Sequence, residues 1–273
     1  GLKDYLQMER MALRVVPIKT PSNGGFGGAM MMGRVEVDTM YRNMMENFKW
    51  GGFDKHKLFV DESYAPSIQT QQFAFMRLAN ELRINGDNDR TVKVLDELYA
   101  SFPNYNFPID EGYSRIQGLD LYLDVGAEEK AKPHMEDLVN GISAKLAYFS
   151  QFISPATPYS FEVSMQQIER ENNALIQQYN QLVGRMDELK KQGQPAPQNM
   201  MQQTIQLRRQ IEQNEAKKQA FFEQCSDPSM AGVFQGEISA AIQTASMAMR
   251  MLPKMTDTEF KKKMEDMLTP YGL

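Results

Sequence analysis

Residues 161 to 225 constrain the fold more than any other stretch, because their apolar spacing leaves little choice of partner. Phe161, Met165, Ile168, Asn172, Leu175, Tyr179, Leu182, Met186 and Leu189 recur in alternating steps of four and three, which is the seam of a coiled coil. Gly193-Gln194-Pro195-Ala196-Pro197 then stops the helix, since proline lacks the amide donor and clashes with the turn before it. The same spacing resumes at Met200, Thr204, Leu207, Ile211, Asn214, Lys218, Phe221 and Cys225, so two long helices should fold back on each other. At about 1.5 Å per residue the first arm would reach roughly 40 Å. Asn172, Asn214 and Lys218 interrupt the seam with polar groups that weaken it and set its register. With flanks rich in Gln, Asn, Glu and Lys, the arm reads either as a spacer or as a docking arm.

Upstream of this hairpin the period is also helical. Ile68, Phe75, Leu78, Ala79 and Leu82 share a face, Gly86-Asp87-Asn88 turns the chain, and Val92, Leu95, Leu98 and Tyr99 form a second stripe. Phe75, Leu78, Ala79, Leu82, Thr91, Leu95 and Pro103 sit at the offsets of a tetratricopeptide repeat, with Ala79 for its Gly and Thr91 for its Ala. A second pair follows, Gly112 to Asp124 and Glu128 to about Tyr148 around a turn at Gly126, with Leu119, Tyr122 and Leu123 opposing Ala131, Met135 and Leu138. Two such pairs are fewer than the about three that a solenoid needs, so other helices must cap them.

The capping helices expected from the sequence lie near the C-terminus. Met230, Val233, Phe234, Ile238, Ile242, Ala245 and Met249 mark one helix that ends at Pro253. Thr256 with Glu259 fits a capping box for a last helix through Phe260, Met264 and Met267. The resulting expectation is an all-α chain of tetratricopeptide-like hairpins with a long antiparallel coiled-coil hairpin. Its segments are an irregular cap over 1–60, repeats over 61–152, the coiled coil over 153–228 and capping helices over 229–273.

Residues 1–60 are the least regular. Pro17, Pro21 and Ser22-Asn23-Gly24-Gly25-Phe26-Gly27-Gly28 break any helix there, while Met11 to Ile18 is apolar and Val37, Met40, Tyr41, Met44 and Phe48 have helical spacing. Loops with one or two helices are expected.

Chemistry-bearing residues are sparse. The only histidines, His56 and His134, lie in different segments without a cysteine pair, too few for the about four ligands of a zinc site, and both read as surface residues. Gly25-Phe26-Gly27-Gly28-Ala29-Met30 lacks the strand, helix and downstream acid of a dinucleotide loop, and reads as a plain loop. The single cysteine, Cys225, has no disulfide partner and belongs to the seam rather than to a nucleophilic site. Asp61-Glu62, Glu128-Glu129 and Asp187-Glu188 suit helix starts and solvated faces. Lys261-Lys262-Lys263 likewise reads as a solvated face, and the 21 methionines mainly as core filling. With 30 basic against 35 acidic residues and a net charge of -5, the chain does not suit a nucleic-acid phosphate backbone. No catalytic, cofactor or metal residues are expected, and no small-molecule ligand.

Two N-terminal stretches are more distinctive, Arg10-Met11-Ala12-Leu13-Arg14-Val15-Val16-Pro17-Ile18 and Asn43-Met44-Met45-Glu46-Asn47-Phe48-Lys49-Trp50-Gly51-Gly52. They resemble the soluble tail of a Bacteroidota membrane-protein family of unknown function that is itself similar to protein O-mannosyltransferases. The resemblance covers about residues 1 to 150 and does not extend to the coiled coil. It implies a multi-span, lipid-linked-sugar glycosyltransferase-like portion before this chain, which starts at Gly1 rather than at methionine. It also implies a periplasmic location tethered to the inner membrane through that portion. Any catalytic acid would belong there, and this tail would dock acceptor proteins or assemble the enzyme. Asp38-Thr39-Met40 also resembles a Bacteroidota O-glycosylation acceptor site.

The functional expectation is a noncatalytic domain that binds a protein partner through its helical repeat surface. Phe48, Lys49 and Trp50 offer an aromatic and cationic anchor of the kind enriched at binding hot spots; the competing reading buries Trp50 between cap and core. Two alternatives stand beside it. In one, residues 1–60 complete the glycosyltransferase active site of the membrane portion; in the other, the hairpin is an oligomerisation strut.

Overall fold

The computed structural model describes residues 2–19, 33–153 and 156–273. Pro21, the glycine cluster from Ser22 to Gly28, the Gly-x-Gly fragment and Met30-Met31-Met32 lie outside the described residues. The chain is all-α in class, with ten α-helices among the described residues beside three strands of two or three residues each. It divides into two compact units, Gly1–Gly141 with Met247–Glu265, and Ile142–Ser246 with Asp266–Leu273.

The first unit opens on a small sheet. β1 (Leu6–Met8) pairs antiparallel with β2 (Leu13–Val15) and parallel with β3 (Arg34–Val35). This corrects the expectation of loops and helices alone for residues 1–60. Strands this short are below the length at which a two-residue period shows, and the β1–β3 pairing joins residues far apart in sequence. α1 (Val37–Arg42) follows, its first turn closed by the Glu36 carboxylate accepting from the Thr39 amide at 2.8 Å. A π-helical turn over Asn43–Asn47 continues it, and Met40 and Met44, four residues apart, are both buried on the inner face.

Two helical hairpins form the body of this unit: α2 (Ala65–Ile84) with α3 (Asn88–Ser101), and α4 (Tyr113–Asp124) with the first half of α5 (Glu128–Ser150). α2 packs on both α3 and α4. Each hairpin turns on a glycine with positive φ, Gly86 at 77° and Gly126 at 76°. The Gly86 amide donates to the Arg83 carbonyl and the next amide to Leu82; Gly126 and Ala127 do the same to Leu123 and Tyr122. These paired bonds satisfy the last carbonyls of a helix, and only glycine takes the left-handed conformation without strain. Asp87 then caps α3 by accepting from the Arg90 amide at 3.1 Å, so one short turn both ends and restarts a helix.

α10 (Thr258–Leu268) belongs to this unit as far as Glu265. Its cap is Asp257, whose Oδ1 accepts from the Glu259 and Phe260 amides at 3.1 and 3.0 Å, not Thr256 as the capping box suggested. The Thr256 amide and hydroxyl are instead held by the Glu128 carboxylate. A carboxylate arriving from α5 outcompetes the local box, because it satisfies two donors at once.

The second unit contains the coiled-coil hairpin, α6 (Pro158–Lys191) and α7 (Gln198–Glu223). The 34 residues of α6 run about 51 Å at 1.5 Å each, longer than the seam alone implied. Every seam position of both arms is buried or half-buried, while the remaining positions of the outer half are almost all exposed. Antiparallel pairing shows in Lys218 Nζ to Glu169 at 3.4 Å, Thr204 Oγ1 to Met186 Sδ at 3.6 Å, and the Asn172 amide donating to Glu215. The turn again uses a glycine, Gly193, with φ at 73°. At the base, Phe161 stacks on Phe221 with ring centres 5.5 Å apart. The single helix expected from Met230 to Met249 is instead two, α8 (Pro228–Val233) and α9 (Gln235–Met251). The break lets Phe234 turn inward against Tyr148, Phe149 and Phe152 and leaves Val233 exposed.

Candidate binding groove

α2 and α4 run along a cavity of about 360 Å³ whose third wall is β3. From α2 it takes Phe73, Arg77, Asn80 and Ile84, and from α4 Gln117, Asp120, Leu121 and Asp124. Steps of three and four place each set on one helical face, so each helix presents a ridge to the groove. Arg77 ties the strand to it: one Nη donates to the Gly33 carbonyl at 2.7 Å and the other reaches Met8 Sδ at 3.4 Å. Desolvation lowers the Arg77 pKa while nearby Glu81 raises it. Gly33 has φ at 80°, and a Cβ there would lie 2.7 Å from the Leu6 carbonyl oxygen. Glycine is therefore required for the carbonyl to face Arg77.

The α4 side is acidic. Lys254 Nζ lies 2.6 Å from Asp120 and 2.7 Å from Asp124, and Arg83 lies 3.8 Å from Asp124. The Lys254 ammonium is held above its usual pKa by these carboxylates, against desolvation. β3 is an edge strand among the described residues, paired with β1, and Gly33, Arg34 and Val35 line the groove. The arrangement can hold an extended segment by side chains laid between the ridges.

Phe48, Lys49 and Trp50 take a different position. The Trp50 indole packs 4.4 Å from the Phe75 ring and 6.5 Å from Phe102, and its Nε1 donates to the Met44 carbonyl at 3.2 Å. Phe48 meets Trp50 edge-on at 5.7 Å. Both rings are half-buried in this cluster, and Lys49 is exposed. Trp50 thus fastens residues 43–50 onto the first hairpin, with its polar tip satisfied internally. Asp38 pairs with Arg90 at 2.7 Å, while Met40 of the same tripeptide is fully buried.

His134 is not a surface residue as the sequence suggested. Its ring stacks 3.9 Å from Tyr99, which stacks 5.6 Å from Tyr122, and the Arg115 guanidinium lies 5.6 Å from the Tyr99 ring centre. Burial first, and Arg115 second, push the imidazole down to about 4, so it is neutral at pH 7. Burial likewise raises the phenols of Tyr99 and Tyr122; Tyr122 donates to Asp96 at 2.8 Å and Tyr99 to the Arg115 carbonyl. This cluster joins α3, α4 and α5 by stacking and satisfied donors. His56 is exposed, and its carbonyl accepts from Asn106 at 2.8 Å. The Cys225 thiol, raised by burial, sits at the seam end. No group of three His, Cys, Asp or Glu that could hold a metal ion occurs among the described residues, and none of the described helices is long and apolar enough to cross a membrane.

The groove residues were not singled out by sequence. Arg77 and Gly33 had no local signature, because the acceptor for one is a carbonyl far away in the chain and the need for the other comes from the Leu6 backbone. Comparison with protein-family models, with curated proteins and with solved structures gives no match.

Proposed function

We propose that this chain is a noncatalytic docking domain whose α2–α4 groove receives an extended segment of a partner protein. The observation that carries the reading is β3 itself: an edge strand already lies against two ridged helices, held by Arg77 through a main-chain carbonyl. A partner segment laid between the ridges would set its side chains against Ile84, Leu121 and Gln117. The hairpins are read as tetratricopeptide-like, supported by the glycine turns and by α2 packing on both α3 and α4. The two N-terminal stretches support the wider setting, the periplasmic tail of a Bacteroidota glycosyltransferase-like membrane protein that docks acceptors or assembles the enzyme.

Site-specific photo-crosslinking in the parent protein tests the groove. A crosslinker at Ile84, 55% exposed in the groove wall, should join a second polypeptide, whereas one at Ile176 on the coiled coil, 37% exposed, should not. Gln117→Trp should block the groove and abolish the Ile84 product at an unchanged melting temperature. Undiminished crosslinking in that variant would refute the assignment. Hydrophobic spans encoded immediately upstream test the membrane tether.

A further inference from the structure

Arg115, near the start of α4, is 1% exposed. One Nη donates to the Phe107 carbonyl, while the Nε, sealed from solvent, has no hydrogen-bond partner among the described residues. Asp110 and Asp137 lie near enough to act on it as charges. Desolvation pushes its pKa down to about 10, which leaves it charged at neutral pH. A buried cation with an incomplete set of acceptors is unfavourable unless something else supplies them.

Beside this guanidinium lies a cavity of about 170 Å³. Its other buried polar side chains are Gln72 and Asn106, 4% and 8% exposed. Val60, Ile68 and Pro108 give it an apolar wall. Gly112, the residue preceding α4, also lines it, so the positive end of that helix borders the space.

We propose that this cavity binds a small aliphatic monocarboxylate, with the carboxylate against Arg115 and Gln72 and the alkyl part against Val60, Ile68 and Pro108. A guanidinium matches a carboxylate in planar geometry and charge. A second negative charge is disfavoured, because among the described residues Arg115 is the one cation on the lining and Asp61 and Glu111 also border the cavity. The volume suits a body of about four or five carbons, given about 30 Å³ for a water-sized group. The carboxylate has two possible sources, a free short-chain acid or the carboxyl end of a peptide finishing in a small apolar residue. Nothing in this assignment depends on the α2–α4 groove, which has a separate lining.

Backbone amide NMR of the whole chain, titrated with butyrate, tests it. Butyrate should shift the amides of residues 107–115 saturably in the millimolar range, while butyramide and inorganic phosphate leave them in place. Gln72→Glu, which sets a like charge against the ligand, should weaken binding at least about tenfold, as should Ala65→Leu, which fills the cavity from its rim. A tetrapeptide ending in alanine with a free carboxyl competes if the natural source is a chain end, and does not if it is a free acid. A butyramide response equal to that of butyrate, no saturable shift at high-millimolar butyrate, or undiminished binding in both folded variants would overturn the proposal.

Discussion

At the scale of single residues, internal positions decide more than surface ones. Asn106, 8% exposed, donates to the Phe53 and His56 carbonyls at 2.7 and 2.8 Å and accepts from the Leu58 amide at 2.7 Å. Asn106→Asp would place a carboxylate against two carbonyl oxygens, raising its pKa above the unfolded value. The variant should therefore lose about 2 kcal/mol at pH 7 and recover part of it near pH 4, where the protonated acid can donate again. Urea unfolding at both pH values reads this, and a gap that does not narrow on acidification contradicts it. His134 works in the opposite sense. Its folded pKa of about 4 lies below the ordinary imidazole value of 6.5, so its contribution is complete above about 6.5 and is lost as pH falls towards 4. The loss is at most about 3 kcal/mol, and His134→Phe, which keeps the stack on Tyr99, should flatten that part of the stability–pH curve. Gly33→Ala meets both positive φ and the Leu6 carbonyl, and should cost about 2 kcal/mol or more. The same change at Gly86, where a Cβ meets nothing within 4 Å, should cost about 1 kcal/mol; equal losses would show that the Leu6 contact is unimportant.

At the scale of elements, the hairpins share one device for ending a helix and differ in what holds their faces together. The glycine turns at Gly86, Gly126 and Gly193 could be read directly, as could the heptad seam, because helix periodicity and left-handed turns are local properties. The break at Phe234 and the cap at Asp257 could not, since a cluster of three other rings and a carboxylate on α5 decide them. Within the coiled coil, Asn172 is 8% exposed and its Oδ1 is buried without a hydrogen-bond partner among the described residues. Replacing it by leucine removes that unsatisfied acceptor and adds apolar seam. Asn172→Leu should therefore raise the chain's stability by about 1 kcal/mol while loosening register. Guanidinium unfolding checks the first effect and broadening of α6 and α7 amide resonances the second; a destabilised variant would mean that the Glu215 contact outweighs the orphaned oxygen.

At the scale of the whole molecule, each of the two units has its own fully buried apolar residues, Phe75, Leu82 and Leu98 in one, Phe161, Met165 and Ile238 in the other. Calorimetry should consequently show unfolding that departs from a single two-state transition. Phe75→Ala and Phe161→Ala, each removing a fully buried ring, should cost about 3 to 5 kcal/mol apiece and lower different parts of the thermogram. If both shift one common peak, the units unfold together. By itself the sequence determined the all-α class, the hairpin turns and both seams of the coiled coil, because these follow from periods of a few residues and from the backbone freedom of glycine. Only the tertiary structure decided that Trp50 turns to Phe75, that β3 lies in a groove beside Arg77, and that Arg115 is buried beside a cavity. Those outcomes depend on which distant groups meet once helices pack, and long-range complementarity of that kind leaves no mark on local spacing.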